Sequence, residues 1–141
     1  MSASCIFCRI AAKDVSSQIV YEDAELVAFR DLNPQAPTHV LVIPKRHVGS
    51  LSDATTEELA EMMALARRLE GIFREVYMPD GLNVGMNLGR AAGAGVADHI
   101  HLHVVPRWNG DTNFMSVLGE TRVIPEDPVA ACARLRARFG P

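Results

Sequence analysis

Three of the chain's five histidines occupy alternate positions, His99, His101 and His103. Side chains at alternate positions of an extended strand point to the same face of a sheet, so these imidazoles are expected to form a row. The apolar residues between and after them would point the other way, into a core: Ile100, Leu102 and Val104. Pro106 is expected to end this strand, because proline has no N–H to contribute to a sheet.

A row of imidazoles can bind a metal, transfer protons or attack an electrophile. The side chains of His99 and His103 would leave the strand about 13 Å apart, at roughly 3.3 Å of rise per residue. Zinc–nitrogen bonds are about 2.0–2.1 Å long, so one ion cannot bind all three rings, although neighbouring rings could share one. The row is better suited to an elongated anion such as a polyphosphate, with the middle ring at the reacting atom. This makes His101 the candidate nucleophile.

A glycine-rich segment, residues 87–98, lies directly before the histidines. Gly89, Gly93 and Gly95 allow backbone N–H groups to approach a ligand closely, and successive N–H groups form anion-binding concavities. No Gly-Lys-Ser/Thr follows, so the segment is not a P-loop. Its glycine content alone would fit a flexible hairpin loop, but its position before the histidine row favours a phosphate-binding loop.

Cys5 and Cys8 form a C-x-x-C motif, which is typical of either a redox pair or half of a metal site. A redox pair is expected after a strand, within a βαβ unit, whereas only four residues precede Cys5 here. The sequence favours zinc, which needs two further ligands, with His39, His47 and the histidine row as candidates. A thiol pair without metal is the alternative. Cys132 is expected to be a small buried hydrophobe.

The hydrophobic pattern predicts an α+β fold. Strands are expected at residues 18–22, 26–30, 39–43, 82–86 and 100–105, the first two forming a hairpin and the last two pairing. Apolar residues at helical spacing predict one long helix from Asp53 to Val76, with Thr55 and Glu58 at capping-box spacing. Its adjacent Met62 and Met63 are expected to fill the core. Residues 129–138 are expected to form a short terminal helix.

The composition indicates one domain, residues 1–141, because 141 residues that are 48% hydrophobic can bury a core. The 14 basic and 17 acidic side chains give a net charge of −3, without the basic block that follows a nucleic-acid backbone. A small ligand is therefore expected, and no nucleic acid. The sequence has no signal-peptide pattern and no long apolar span, which predicts a cytoplasmic protein that does not enter a membrane. The odd number of cysteines argues against a disulfide framework.

Several motifs, in this order along the chain, resemble those of the histidine triad (HIT) superfamily of nucleotide hydrolases and transferases. They are Cys5-x-x-Cys8, Asp31-x-x-Pro34-x-Ala36-Pro37-x-His39, Val42-Ile43-Pro44-Lys45-x-x-His47, Asn87 with the glycines after it, and His99-x-His101-x-His103. The resemblance covers nearly the whole chain. It implies an α+β, HIT-like fold with an antiparallel sheet, one long helix and a short C-terminal helix. It also implies a homodimer that shares one extended sheet, and cleavage at a nucleotide's α-phosphate through a covalent nucleotidyl-histidine.

The same resemblance implies roles for individual residues. His101 matches the nucleophile, and Asp31 matches the residue that holds the ribose hydroxyls. The residues expected near the base are Phe29, Arg30 and Leu32. Those expected at the phosphates are Asn87, Gly95, Val96 and His103, of which His103 is also expected to assist catalysis. Zinc-carrying relatives bind a structural zinc ion through the residues that match Cys5, Cys8, His47 and His99, and no organic cofactor is implied.

The mechanism that we expect has His101 attack the α-phosphorus while Gly95, Val96 and His103 stabilise the developing charge. The carbonyl of His39 is expected to orient the other ring nitrogen of His101.

Two features separate this chain from many relatives. Many carry Gly-Gln before the triad, where this chain has Gly93-Ala94-Gly95. Residues 106–115 resemble the branch linked to diadenosine tetraphosphate phosphorolysis or hydrolysis, whereas the N-terminal half is closer to the phosphoramidases. We therefore expect an enzyme that cleaves dinucleoside polyphosphates, with water or phosphate as the acceptor. The alternatives are a purine nucleoside phosphoramidase, a purine nucleotide-binding module without catalysis, and a zinc-dependent hydrolase.

Overall fold

The computed structural model describes residues 2–31, 38–111 and 126–141. Five strands form one sheet in the order β1-β2-β3-β5-β4, and every neighbouring pair is antiparallel. The strands are β1 (Ile19–Glu22), β2 (Leu26–Arg30), β3 (Val40–Pro44), β4 (Gly81–Gly85) and β5 (Leu102–Arg107). The helices are α1 (Ile6–Ala11), α2 (Thr56–Val76) and α3 (Pro128–Arg138). The expected α+β class, antiparallel sheet, long helix and short C-terminal helix are confirmed.

The turn between β1 and β2 is closed by an aspartate. Asp23 Oδ1 accepts hydrogen bonds from the N–H groups of Glu25 and Leu26, both at 2.8 Å. An aspartate that bonds the backbone two residues on is a common turn-forming arrangement. The hairpin expected around Asp23 is therefore present.

α2 begins with the expected capping box. Thr55 Oγ1 accepts from the Glu58 N–H at 3.0 Å, and the Glu58 carboxylate accepts from the Thr55 N–H at 2.8 Å. The helix packs its apolar face on the sheet, against the expected inward residues Ile100, Leu102 and Val104. The expectation for the two methionines is half right: Met62 is 1% exposed, whereas Met63 is 56% exposed and faces away from the core.

α1 covers the opposite face of the sheet, and the hydrophobic pattern did not predict this helix. A second apolar cluster joins α1 to β2 and β3. Its members on α1 and at the α1 N-cap are Cys5, Phe7, Cys8 and Ile10, and those on the strands are Val27, Phe29, Leu41 and Ile43. The sheet therefore has a covered layer on both faces, with α2 on one side and α1 on the other.

β5 differs from the expectation at both ends. It begins at Leu102, so His99 and His101 lie in the segment just before it. It also continues through Pro106 to Arg107, and the prediction that Pro106 ends the strand is wrong. The reason lies in the pairing: β3 pairs with β5 only as far as Val104, so Pro106 is opposite Leu82 of β4 alone. A missing N–H is tolerated where one side of a strand has no partner.

α3 packs against β1 and contains the third cysteine, Cys132, which is 2% exposed as expected. The tail that resembles the diadenosine tetraphosphate branch is described only as far as Asp111, and residues 112–115 of that tail lie outside the described residues. Among the helices of the three described ranges, none has the length and apolar character to cross a bilayer.

Candidate functional site

A cleft of about 680 Å³ lies on the α1 side of the sheet. It is bounded by α1, by β2 to β5 and by the glycine-rich loop that precedes the histidines. Of the residues predicted to bind or process a nucleotide, the cleft is lined by Phe29, Asp31, Asn87, Gly95, Val96, His101 and His103. Another member of that set, Arg30, does not line it. Arg30 donates instead to the Asp31 carbonyl at 3.4 Å, and Leu32 lies outside the described residues.

His101 is held by a hydrogen bond to its own chain. Its Nδ1 lies 2.9 Å from the carbonyl oxygen of His99. Because a carbonyl can only accept, Nδ1 carries the proton, and Nε2 retains the lone pair that a nucleophile needs. The expected orienting group was the His39 carbonyl, and this is wrong: that oxygen accepts the Asp31 N–H at 2.8 Å. The segment just before β5 therefore sets the tautomer of His101 without help from β3.

His103 belongs to a second polar chain that also lines the cleft. His39 Nε2 lies 2.8 Å from His103 Nδ1 and 3.5 Å from Asp31 Oδ2. A proton on His39 Nε2 satisfies both neighbours, and His103 then carries its own proton on Nε2. Among the described residues, His103 Nε2 has no hydrogen-bond partner although it is buried. Burial lowers the pKa of His103 and the nearby His101 lowers it further, while Asp31 acts against both. The ring is therefore neutral at pH 7 and has one N–H to offer a ligand.

The glycine-rich loop turns through a 3-10 segment, Arg90–Ala92, between two glycines with left-handed backbone, Gly89 (φ +86°) and Gly93 (φ +98°). Other residues rarely adopt such angles without strain. Gly95 has no such angle, but a Cβ built there would meet no atom within 4 Å. Since Gly95 lines the cleft, its missing side chain leaves room for a ligand beside the backbone.

Beneath the cleft, the structure brings together the four residues expected to bind zinc. The ligand atoms of Cys5, Cys8, His47 and His99 all lie within 4.8 Å of one another. The closest sulfur–nitrogen distances are 3.2 Å from Cys8 to His47 and 3.4 Å from Cys5 to His99. Tetrahedral zinc, with bonds of about 2.3 Å to sulfur and 2.0–2.1 Å to nitrogen, places such atoms about 3.6 Å apart.

The protonation of His99 also fits a metal ligand. Its Nε2 lies 2.8 Å from the Pro44 carbonyl and must donate to it, so Nδ1 presents a lone pair to the two sulfurs. A ligating histidine typically donates its other ring N–H to a carbonyl or carboxylate in this way. Burial lowers the pKa of His99 and raises that of the Cys5 thiol. The ring is thus neutral, as ligation requires, whereas Cys5 would release a proton on binding a metal.

The cleft residues that lay outside the sequence-based site include Ile6, Phe7 and His39. Ile6 and Phe7 line the cleft from α1, and the ring of His39 joins the Asp31–His103 chain. His39 had been considered only as a metal ligand and for its carbonyl. The signal for Ile6 and Phe7 was their position between the two cysteines, because a metal site that includes His99 also brings them beside His101.

The model of the HIT domain family matches residues 12–110. The chain belongs to the HIT domain family. This HIT protein is 42% identical over 113 residues to the AP-4-A phosphorylase of Mycobacterium tuberculosis strain H37Rv, covering 80% of this chain and 58% of that protein. The chain thus spans less than two thirds of that relative's length.

Two further relatives are matched over most of their own length. Protein HitA of Neisseria gonorrhoeae is 40% identical over 102 residues, 72% of this chain and 94% of that protein. The crystal structure of a zinc-bound histidine triad family protein from Mycobacterium smegmatis is 40% identical, with a TM-score of 0.81. That comparison covers 95% of this chain and 91% of the other.

Proposed function

We propose that this HIT protein cleaves dinucleoside polyphosphates of the diadenosine tetraphosphate type at the α-phosphate, through a nucleotidyl group carried on His101. The observation that supports this most directly is the His101 Nδ1 hydrogen bond to the His99 carbonyl, which leaves a lone pair on Nε2 in a ring that lines the cleft. Membership of the HIT family and the similarity to an AP-4-A phosphorylase support the choice of substrate.

In the first step, His101 Nε2 attacks the α-phosphorus, and the bond from that phosphorus to the bridging oxygen breaks. The nucleoside polyphosphate leaves with the electron pair of that bond. The ring becomes an imidazolium, whose Nδ1–H remains bonded to the His99 carbonyl. His103 Nε2–H and the amides of the glycine-rich loop are the donors for charge on the phosphoryl oxygens.

In the second step, water or inorganic phosphate attacks the phosphorus, and the P–N bond to His101 breaks. The acceptor releases a proton to solvent as it forms its bond, the electron pair of the P–N bond returns to Nε2, and His101 is again the neutral ring that began the cycle. With water the transferred nucleotide leaves as AMP, and with phosphate it leaves as ADP. The second product, ATP, is the same in both cases.

Product analysis with diadenosine tetraphosphate therefore tests the reaction and its acceptor together. ADP that forms only when phosphate is present indicates phosphorolysis, and AMP without phosphate indicates hydrolysis. Adenosine 5′-phosphoramidate, tested in parallel, would favour the phosphoramidase alternative if it were turned over much faster. AMP binding without turnover of either substrate would favour a binding module.

The first prediction concerns the nucleophile. His101→Ala should reduce turnover by at least about a thousandfold, as for the loss of a covalent nucleophile, while AMP still binds. Rapid quenching of the wild-type protein with labelled substrate should trap label on the protein in an acid-labile, base-stable bond. Turnover near the wild-type rate in His101→Ala would contradict the assignment.

We also propose that Cys5, Cys8, His47 and His99 hold a structural zinc ion. When bound there, zinc would supply a cross-link between α1 and the segments that follow β3 and precede β5. The Mycobacterium smegmatis relative is a zinc-bound protein, and the donor set and distances here fit that metal. Metal analysis of the purified protein should give about one zinc per chain, lost in Cys8→Ser.

Finally, we propose that the protein is a homodimer that extends its sheet across β4. Of the strands in the described part of the chain, β4 lies at one edge, and its residues Asn83 to Gly85 are exposed. The other edge, β1, is covered by α3, where Arg136 Nε donates to the Ile19 carbonyl at 2.9 Å.

A further inference from the structure

The four residues of the C-x-x-C motif contribute to two sites. Cys5 and Cys8 contribute ligand atoms to the metal cluster, while Ile6 and Phe7, between them, line the cleft. No spacer separates the two roles, because four consecutive residues carry both. A displacement of the cysteines therefore moves the wall of the cleft.

The Phe7 ring packs against three other rings, which belong to the cleft and to the metal cluster. Its ring centroid lies 5.0 Å from that of His101, 5.6 Å from that of Phe29 and 5.8 Å from that of His99, each in an edge-on arrangement. One aromatic ring thus touches the proposed nucleophile, a cleft-lining ring on β2 and a candidate metal ligand. It is also only 6% exposed, so it cannot move without disturbing these neighbours.

α1 has few other means of holding its position. The helix is only six residues long, and its N-cap, Cys5, makes no side-chain capping bond. Helices this short are not stable by themselves and depend on tertiary contacts. Those contacts are the packing of Phe7, Cys8 and Ile10 and the cluster of ligand atoms, which joins α1 to His47 and His99.

We propose that occupancy of the metal site controls the affinity of the cleft for the base portion of its nucleotide, by fixing Ile6 and Phe7. The proposal depends on the proposed function, because it takes a nucleotide as the ligand and zinc as the metal. Without metal, only apolar packing and weak hydrogen bonds between thiol and imidazole hold α1 beside the two histidines, and nucleotide binding must then complete the ordering of the apolar wall. Ordering a mobile segment on binding reduces affinity. This coupling makes nucleotide binding responsive to the supply of zinc.

The test is equilibrium binding of AMP at two free zinc concentrations set by a chelator buffer, with circular dichroism confirming that both states are folded. We expect AMP to bind more tightly to the zinc-loaded protein by about five- to a hundredfold, the usual range for coupled sites. Linkage requires that saturating AMP raise the zinc affinity by the same factor. Ribose 5-phosphate, which lacks a base, should bind with the same affinity to the zinc-loaded and the zinc-free protein.

Two variants locate the coupling. Phe7→Leu should bring the ratio of zinc-loaded to zinc-free AMP affinity towards one. Val105→Ala, a cleft-lining change on β5, should weaken AMP binding to the same extent in both states and preserve the ratio. A folded wild-type protein with equal AMP affinity in both states overturns the coupling and leaves the proposed reaction untouched. A zinc-loaded protein that binds no AMP overturns the proposed function itself.

If the zinc-free protein unfolds, the coupling is measured through the zinc affinity instead. A chelator competes for zinc with the folded protein, once with AMP and once without it. A zinc affinity that AMP raises equally in wild type and Phe7→Leu then overturns the role of Phe7.

Discussion

At the scale of single residues, the chemistry of the site depends on which ring nitrogen carries each proton. The carbonyls of His99 and Pro44 settle this for His101 and His99, since a carbonyl accepts and never donates. The two rings have opposite tautomers: His101 is left with a lone pair on Nε2 and His99 with one on Nδ1. Residues only two positions apart thereby present their lone pairs in different surroundings, His101 in a ring that lines the cleft and His99 towards the cysteine sulfurs.

The alternate spacing of His101 and His103 fits their place in one cleft, whereas His99 lies with the two cysteines and His47. The partners of their ring nitrogens were not predictable, because they depend on neighbours distant in sequence. His39 is an example, because it lies 64 positions from His103 in the sequence while its Nε2 lies 2.8 Å from His103 Nδ1.

The second prediction tests the His39–His103 contact. His39→Phe keeps a ring but removes the donor to His103 Nδ1, so that His103 loses the bond that fixes its tautomer. We expect kcat to fall by about a hundredfold, in the lower range for groups that control proton position, with a smaller change in KM. His39→Gln, whose amide N–H can reach the same acceptor, should recover part of the loss. Equal rates for the two variants would show that the ring serves packing alone.

The third prediction separates two glycines of the glycine-rich loop. Gly93→Ala should lower stability by about 1–2 kcal/mol, because its backbone is left-handed. Gly95→Ala should leave the melting temperature within about 1 °C of wild type but raise KM, because its methyl group would occupy space in the cleft. Thermal unfolding and steady-state kinetics on both proteins check this. An unchanged KM in Gly95→Ala would place the ligand away from this part of the loop.

At the scale of the elements, the sequence predicted the long helix α2 but not the short helix α1. α2 spans 21 residues, and its periodic apolar face and capping box identify it in the sequence. α1 has six residues and no side-chain cap, so its sequence contains too little of a helical period to detect. It exists because β2 and β3 present an apolar face that Phe7 and Ile10 can cover.

The fourth prediction concerns the start of α2. Arg46 donates two hydrogen bonds of 2.7 Å to the Glu58 carboxylate, and this contact ties the helix to the segment that carries His47. The Arg46 guanidinium first, and hydrogen bonds from Thr55 after it, lower the pKa of Glu58 from 4.5 to about 2 against the opposing effect of burial. A carboxyl whose pKa is lower in the folded state stabilises the fold above its unfolded pKa and loses that contribution as the pH falls. The stabilisation should therefore be complete above pH 4.5 and disappear towards pH 2.

Glu58→Gln keeps a capping side chain and removes the charge, so it isolates this contribution. We expect a loss of about 1 kcal/mol in the free energy of unfolding at pH 6, because the guanidinium is half exposed. Glu57→Gln, in the same helical turn but exposed, is the matched control and should change stability little. Urea unfolding at pH 6 and pH 4 should show the difference between wild type and Glu58→Gln becoming smaller at the lower pH. A difference that grows on acidification would refute the ion-pair interpretation.

At the scale of the whole molecule, the strand order decides which surfaces remain available. The hairpin and the β4–β5 pairing were predictable from neighbouring runs in the sequence. The insertion of β5 between β3 and β4 was not, because it depends on where the α2 crossover returns the chain. That insertion places the histidines beside β3 and leaves β4 outermost among the strands described.

A shallow groove of about 710 Å³ lies where α2 meets this open edge, lined by Met63 and its helical neighbours together with Val84 of β4. Met63 is 56% exposed and Val84 is 44% exposed, and both line this groove. Arg67 and Glu70 flank them, so a second copy related by a two-fold axis could pair each charge with its opposite.

The fifth prediction follows from this surface. Light scattering should give the wild-type protein twice the 15.4 kDa mass of one chain. Met63→Glu, which would bury a carboxylate in the proposed interface, should give a folded monomer at micromolar concentration. Leu51→Glu introduces the same charge at another exposed apolar residue, 43% exposed and outside the groove, and should leave the mass unchanged.

Because Val84 lines both the groove and the cleft, the Met63→Glu monomer should also bind nucleotide less tightly. A wild-type monomer would overturn the proposed dimer, and a Met63→Glu dimer would place the interface away from this groove.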